Sequence, residues 1–260
     1  METIFKDIRK WFNDYYNSCV STDGKKYNLL ILKLEHSIKV GNHAKAISED
    51  EEWPAFEVDV AETLGLLHDV GRFSQLVEFG TFSDAYSINH GERGYSDVRS
   101  SGVLQQLPQE IQTILLNGIR FHNARRIPDD LDKASTRFLK LIRDADKLDI
   151  FRIIHKAVHQ KSTERQPEII LHVDINGPVN PAALSELENR QNVSYRNIKS
   201  LADFGLMQLS WIYDLNYRYS FKYFSDHGIF ANIIDILPSN PDVMNAIDAV
   251  ANYLSSKQSA

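Results

Sequence analysis

The chain has 260 residues, 43% of them hydrophobic and 25% charged, which suits a large globular domain with a substantial core. Its formal net charge of −6 argues against a dedicated binder of duplex nucleic acid, which needs a basic face. A small phosphorylated substrate stays open, because a local pocket can be positive on an acidic protein. No apolar run approaches the ~20 residues of a membrane span, Met1 to Asp7 show no export-signal pattern, and the single Cys19 excludes an internal disulfide, so the expected setting is cytoplasmic.

Apolar residues recur three or four apart almost throughout, the period of amphipathic helices, and predict an all-α helical bundle. Ile4, Ile8, Trp11, Phe12 and Tyr15 predict an opening helix over 1–20, with a loop at 21–24. A second helix is predicted over about 27–46 and an acidic loop over 48–54. The third helix starts at Pro54, a residue suited to a first helical turn, and runs to Gly71, which can end it. Residues 72–88, rich in Phe, Ser and Gly, read as an irregular loop beside an active site. Asn89 with Glu92 three positions on forms a capping-box variant that starts the next helix. Helices follow over about 109–123 and, after a break at Pro128, Asp129 and Asp130, over about 132–159. The stretch 168–174 is rich in β-branched residues and precedes the turn signal Asn176, Gly177, Pro178, which predicts a short strand or hairpin. A long aromatic-rich helix is predicted from Leu201, carrying Phe204, Trp211, Tyr213, Tyr217 and Phe221, either as helix packing or as the surface of a homodimer. Pro241 opens a last helix ending near Leu254. The only candidate boundary, 160–182, reads as a connection inside one domain spanning 1–260.

Six residues break the apolar pattern. Leu29, Leu32, His36, Val40, His43 and Ile47 share a helix face, so His36 points inward. Ala61, Leu64, Gly65 and His68 share another, and Asp69 follows directly. His90 stands in the first turn of a helix beside Gly91 and Gly94. Ile111, Leu115, Gly118 and His122 form a further stripe. On the long helix, Leu139, Ile142, Asp146, Ile150 and Ile153 share a face, which turns Asp146 inward. Asp144 instead neighbours Lys140 and Lys147 at helical spacing and reads as a solvated ion pair or a supporting group. Asp149 lies near the stripe as a candidate partner to a ligating histidine. Each histidine alone also reads as a hydrogen-bonded core or surface residue. The set as a whole does not, because unpartnered buried imidazoles and carboxylates cost a few kcal/mol each, and a shared metal removes that cost together. Four His and two Asp suit Mn, Fe, Co, Ni or Zn better than Ca or Mg alone, with Mg left open, and the lack of Cys disfavours a structural zinc site. His43 reads as core. His155 and His159 have metal-compatible spacing but no acid to complete a set, and His172 and His227 have no supporting pattern.

The pieces Leu34-Glu35-His36, Leu66-Leu67-His68-Asp69-Val70-Gly71-Arg72, Asn89-His90-Gly91-Glu92, Phe121-His122-Asn123 and Asp144-Ala145-Asp146-Lys147-Leu148-Asp149 resemble the HD-domain superfamily of metal-dependent phosphohydrolases. The resemblance covers about 28–158, leaving 1–27 and 160–260 as helical additions. It implies that His36, His68, Asp69 and Asp146 hold one metal, that His90 and His122 hold a second, and that Asp69 bridges them. The paired His-His and Gly-Tyr-Pro motif of members that cleave cyclic dinucleotides is missing, which disfavours that subgroup. Arg72 stands where many members have Lys, which keeps a cation but changes its geometry.

The resemblance implies hydrolysis of a phosphomonoester or phosphodiester, of a nucleotide or another small phosphorylated molecule, by metal-activated water. Asp69, Arg72 and Lys147 are expected to serve catalysis. Arg72, Arg93 and Arg125 are expected to bind substrate, with Arg72 as a bidentate phosphate clamp. Two other readings remain: a di-iron oxygenase of the same fold, and a catalytically silent nucleotide sensor.

Overall fold

A computed structural model of the chain describes residues 2–20, 24–159 and 173–258. The described residues are helical with no strand or sheet, as the pattern predicts, and fall into two compact units, Met1–Asp146 and Lys147–Ala260. Among them no helix is long and apolar enough to cross a membrane.

In the first unit, α1 (Glu2–Cys19) buries Ile8, Phe12 and Tyr16 at a spacing of four. Phe12 and Tyr16 meet the ring of Phe73 at centroid distances of 5.7 and 5.4 Å. α2 (Gly24–Asp50) extends past the predicted end, because Ile47 and Ser48 are still buried. The acidic run therefore begins inside the helix, and the chain turns at Glu52, whose backbone is left-handed (φ 54°). α3 (Ala55–Leu67) starts after Pro54 and buries Val60, Ala61, Leu64, Gly65, Leu66 and Leu67. α2 and α3 meet backbone to backbone: a Cβ on Gly65 would lie 2.6 Å from Gly41 Cα and 2.8 Å from Val40 O. That close approach brings the rings of His36 and His68 to 5.2 Å between centroids.

The irregular loop predicted over 72–88 is only half present. α4 (Gly71–Phe79) takes up its first part, since Phe73 and Leu76 have helical spacing and are buried together with Ser74 and Gln75. Irregular chain is confined to residues 80–89, with one 3-10 turn at Asp84–Tyr86. Gly71 opens α4 instead of ending α3. A Cβ there would lie 2.2 Å from His90 O and 2.5 Å from Gly94 N, so only hydrogen fits between α4 and α5 (His90–Ser101). The Asn89 side chain caps α5 by accepting from Gly91 N and Glu92 N. The Glu92 carboxylate does not close the box and instead accepts from Arg120 Nε at 2.8 Å. α6 (Gln109–Phe121) and α7 (Lys133–His159) match their sequence signals closely.

The second unit contains the C-terminal part of α7, α8 (Pro181–Glu188), α9 (Leu201–Ser210), α10 (Arg218–Asp226), α11 (Ile229–Ile234) and α12 (Pro241–Gln258). The long helix predicted from Leu201 is broken. α9, capped by a reciprocal Ser200/Asp203 box, gives way to a 3-10 turn at Trp211–Asp214 and then to extended Leu215. Asn216 Nδ2 donates to Asp214 O at 2.9 Å, a local bond that competes with helix continuation. Phe204, Phe221 and Phe224 still serve the core, with Phe151, Leu209, Val243 and Val250. Most of the predicted strand, 168–172, lies outside the described residues. Its last residue, Asp174, makes only an isolated parallel bridge to Ser200.

The glycine contacts carry an expectation for stability. Gly71→Ala must push α4 and α5 apart and is expected to cost about 1–3 kcal/mol, as overpacking does elsewhere, read as a lower midpoint in urea unfolding of the metal-free chain.

Candidate metal centre

Three helix termini and two helix faces deliver the polar residues. His36 lies on α2, one turn after Lys33. His68 caps the C-terminus of α3, and its Nδ1 faces Gly65 O at 2.7 Å. His122 does the same for α6, with Nδ1 2.8 Å from Ile119 O. His90 is the first residue of α5, and its Nδ1 faces both Asp84 oxygens at 2.8 and 2.9 Å. A ring nitrogen facing a carbonyl or carboxylate oxygen must be the N–H donor, so His68, His122 and His90 all turn a lone pair on Nε2 inward.

All six sequence-derived candidates converge. Asp69 Oδ2 is 3.6 Å from His36 Nε2 and 3.8 Å from His68 Nε2. Asp69 Oδ1 is 3.3 Å from His90 Nε2 and 3.5 Å from His122 Nε2. Asp146 Oδ1 is 3.0 Å from His36 Nε2 and 3.6 Å from His68 Nε2. Two groupings, His36/His68/Asp69 and Asp69/His90/His122, have ligand atoms all within 4.8 Å of one another, and each can hold a metal ion.

The electrostatics favour the ligating states. Burial alone would raise the Asp69 carboxyl, but the Lys33 ammonium and the His68, His122 and His90 rings outweigh it and hold Asp69 well below the usual carboxylate range. Burial likewise works against ionised Asp146, and the neighbouring His36 and His68 rings hold its pKa down. Burial lowers the His68 pKa, against the pull of Asp69 and Asp146. It lowers His90 to about 4, helped by the Arg72 charge and opposed by Asp84. Anionic carboxylates and neutral imidazoles are the forms that bind metal.

The donor set fits a divalent transition metal on its geometry. His68 Nε2 is buried and has no hydrogen-bond partner. His90 Nε2 and His122 Nε2 are 3.0 Å apart, both with lone pairs facing in, which is repulsive unless a cation is shared. Two nitrogens about 2.1 Å from one ion and at right angles to each other lie about 3 Å apart.

The candidate phosphate-binding cations are placed differently from one another. Arg72 Nη1 donates to Gln75 Oε1 and Asp84 Oδ1 at 2.9 Å each, and also to Phe82 O. Its Nε is buried without a hydrogen-bond partner, 3.6 Å from Asp69 Oδ1. Arg93 is held by Asp97 and Glu78. Arg125 is exposed on the loop after α6. Lys147, in the second unit, pairs with Asp214 at 2.7 Å. Asp144 is fully buried along with Leu141 and Ala145 on the same helix face, so it is not the solvated group expected there. Asp149 is buried too, and accepts from Arg152 Nε at 2.6 Å. His43 is only half-buried. His227 stacks on Tyr223 at 3.8 Å. The His155 and His159 side chains and all of His172 lie outside the described residues.

Three further groups at the site were not singled out from sequence. Lys33 Nζ donates to Asp69 Oδ2 at 2.6 Å, and its spacing of three from His36 was the available signal. Gln75 Nε2 donates to Asp84 Oδ1, Ser87 Oγ and Ile88 O. Asp84 itself, six residues before His90, had no periodic signal because it sits in a loop.

In comparison with known proteins, the HD-domain family model matches residues 34–150. Those residues form an HD domain. They include all six converging side chains, and the all-helical fold is that of the HD-domain type. No curated protein and no solved structure matches the chain.

The buried neutral imidazole of His90 has a pH consequence. Its folded pKa, about 4, lies below the ordinary value near 6.5. The unfolded chain therefore takes up the proton first, and stability falls as pH drops below about 6.5, levelling off near 4. His90→Gln is expected to flatten that limb in urea-unfolding midpoints of the metal-free protein measured from pH 7 to 4.

Proposed function

We propose that this HD-domain protein is a metal-dependent phosphohydrolase that uses two divalent ions to cleave a phosphate ester of a nucleotide or another small molecule. One observation carries the reading: the two oxygens of Asp69 divide between two imidazole pairs, Oδ2 toward His36 and His68 and Oδ1 toward His90 and His122. A carboxylate so placed suits a bridge between two ions.

In this reading His36, His68, Asp69 and Asp146 hold one ion, and Asp69, His90 and His122 hold the other. When bound, such ions supply Lewis acidity toward a phosphoryl oxygen and lower the pKa of the attacking water. The chain's own contribution is position and charge. Lys33 Nζ and the Arg72 guanidinium both stand beside Asp69, and both approach the Phe82 ring, at 5.8 and 5.9 Å from its centroid. Two cations beside the acidic centre attract an anion and meet the charge that spreads over the phosphoryl oxygens during transfer. Arg72 Nη1 is committed to Gln75, Phe82 O and Asp84, so contact with a phosphate falls to its Nε and Nη2 atoms.

The test is metal analysis of the untreated protein followed by assay of an aryl phosphate with added Mn or Co. Phosphate release without oxygen uptake is expected, and oxygen consumption by an iron-loaded preparation would overturn the reading. His68→Ala and Asp69→Ala are each expected to remove bound metal and lower turnover by at least about a hundredfold. Arg72→Ala is expected to raise KM while metal content stays at the wild-type level, and an unchanged KM would take Arg72 out of substrate binding.

A further inference from the structure

The inner histidines are not held alike. His68 and His122 each occupy a helix C-cap, where the carbonyl three residues back (Gly65 O and Ile119 O) accepts from Nδ1. Their orientation comes with the helix and needs nothing else. His90 is the first residue of α5, so the residue three back, Ser87, lies outside the helix and offers no such carbonyl. The Ser87 hydroxyl is engaged as well, donating to Ser83 O and accepting from Gln75. The acceptor for His90 Nδ1 has to come from elsewhere, and it comes from Asp84 on the 3-10 turn.

Asp84 is in turn fixed by groups outside its own turn. Its Oδ1 accepts from Arg72 Nη1 and Gln75 Nε2, both at 2.9 Å, and its Oδ2 accepts from Asn123 Nδ2 at 3.2 Å. Arg72 and Gln75 come from α4, and Asn123 directly follows His122. Asp84 thus ties together α4, the 80–89 segment and the two histidines of one grouping. Its side-chain partners are Arg72, Gln75, His90 and Asn123.

We propose that Asp84 is a positioning residue that sets occupancy of the Asp69/His90/His122 side of the centre and leaves the His36/His68/Asp146 side unaffected. This rests on the two-ion reading above. A carboxylate on the far nitrogen fixes the ring, raises its basicity as a ligand, and is worth about 10–100-fold in metal affinity where such pairs occur. On the other side His68 draws its support from a backbone carbonyl, which no side-chain substitution removes. The 80–89 segment therefore controls whether the centre binds one ion or two.

The experiment is titration of the full chain, stripped by chelation, with Mn2+ alone, followed by calorimetry and by electron paramagnetic resonance, in which exchange between paired ions reports the doubly loaded state. Wild type is expected to take two equivalents. Asp84→Ala is expected to weaken one equivalent by about 10–100-fold, lose the exchange signal, and keep the other equivalent within about threefold. Asp84→Asn, whose amide oxygen still accepts from His90 without a charge, is expected to fall between. Unchanged binding of both equivalents overturns the assignment, and so does equal weakening of both, which would make Asp84 a general structural support. Loss of a cooperative unfolding transition in both variants overturns it in the same way. A wild type that takes up fewer than two equivalents overturns the two-ion reading, and this proposal with it, a result distinct from failure of Asp84 alone.

Discussion

A buried carboxylate, Asp69, sits among an ammonium and four imidazoles, and the first unit is arranged around keeping it ionised there. Removing a carboxylate from water is expensive, and burial does push its pKa upward. The Lys33 ammonium at 2.6 Å and the surrounding rings reverse that push. The His68 and His90 imidazoles in turn stay neutral because burial disfavours their charged forms. The result is a pocket of inward lone pairs and negative oxygen, poorly satisfied by protein donors alone and well suited to a multivalent cation.

That pocket is assembled largely from helix ends. C-terminal residues of α3 and α6 project His68 and His122, and the N-terminus of α5 projects His90. Helix ends leave backbone groups unpaired, and the carbonyls of Gly65 and Ile119 use that surplus to orient a ring. The helices can bring their ends together because side chains are missing where they cross. Gly65 lets α3 lie on α2 backbone to backbone, and Gly71 lets the start of α4 touch the start of α5. Fold and site share these contacts, so a change in helix packing is also a change in ligand geometry.

Much of this was legible in the chain itself. The inward faces of α2, α3, α6 and α7 follow from apolar spacing, and a histidine or aspartate on such a face announces a buried polar group: His36, His68, His122 and Asp146 were readable on that basis. The helix over 71–79 was hidden because the stretch 72–88 that holds most of it is rich in Phe, Ser and Gly, while the burial of Phe73, Ser74, Gln75 and Leu76 that stabilises it comes from neighbouring helices. Asp144 misled for a related reason. Lysines at helical spacing suggest a solvated pair, but Asp144 itself is fully buried. The single long helix expected from Leu201 failed because periodicity continues through Trp211–Asp214 although the backbone does not.

What the sequence by itself determined is the periodic and local part: an all-helical chain, the approximate helix bounds, the Asn89 cap, and the six candidate ligands, four of which interrupt an apolar stripe. These follow from spacing and from side-chain chemistry, which need no knowledge of distant neighbours. Only the tertiary structure decided how Asp69 divides its oxygens, that Lys33 is its counter-ion, that Arg72 is tethered, and that Asp84 supports His90. Those depend on contacts between residues far apart in the chain and on a loop without periodicity, where no regular repeat sets a side chain's direction.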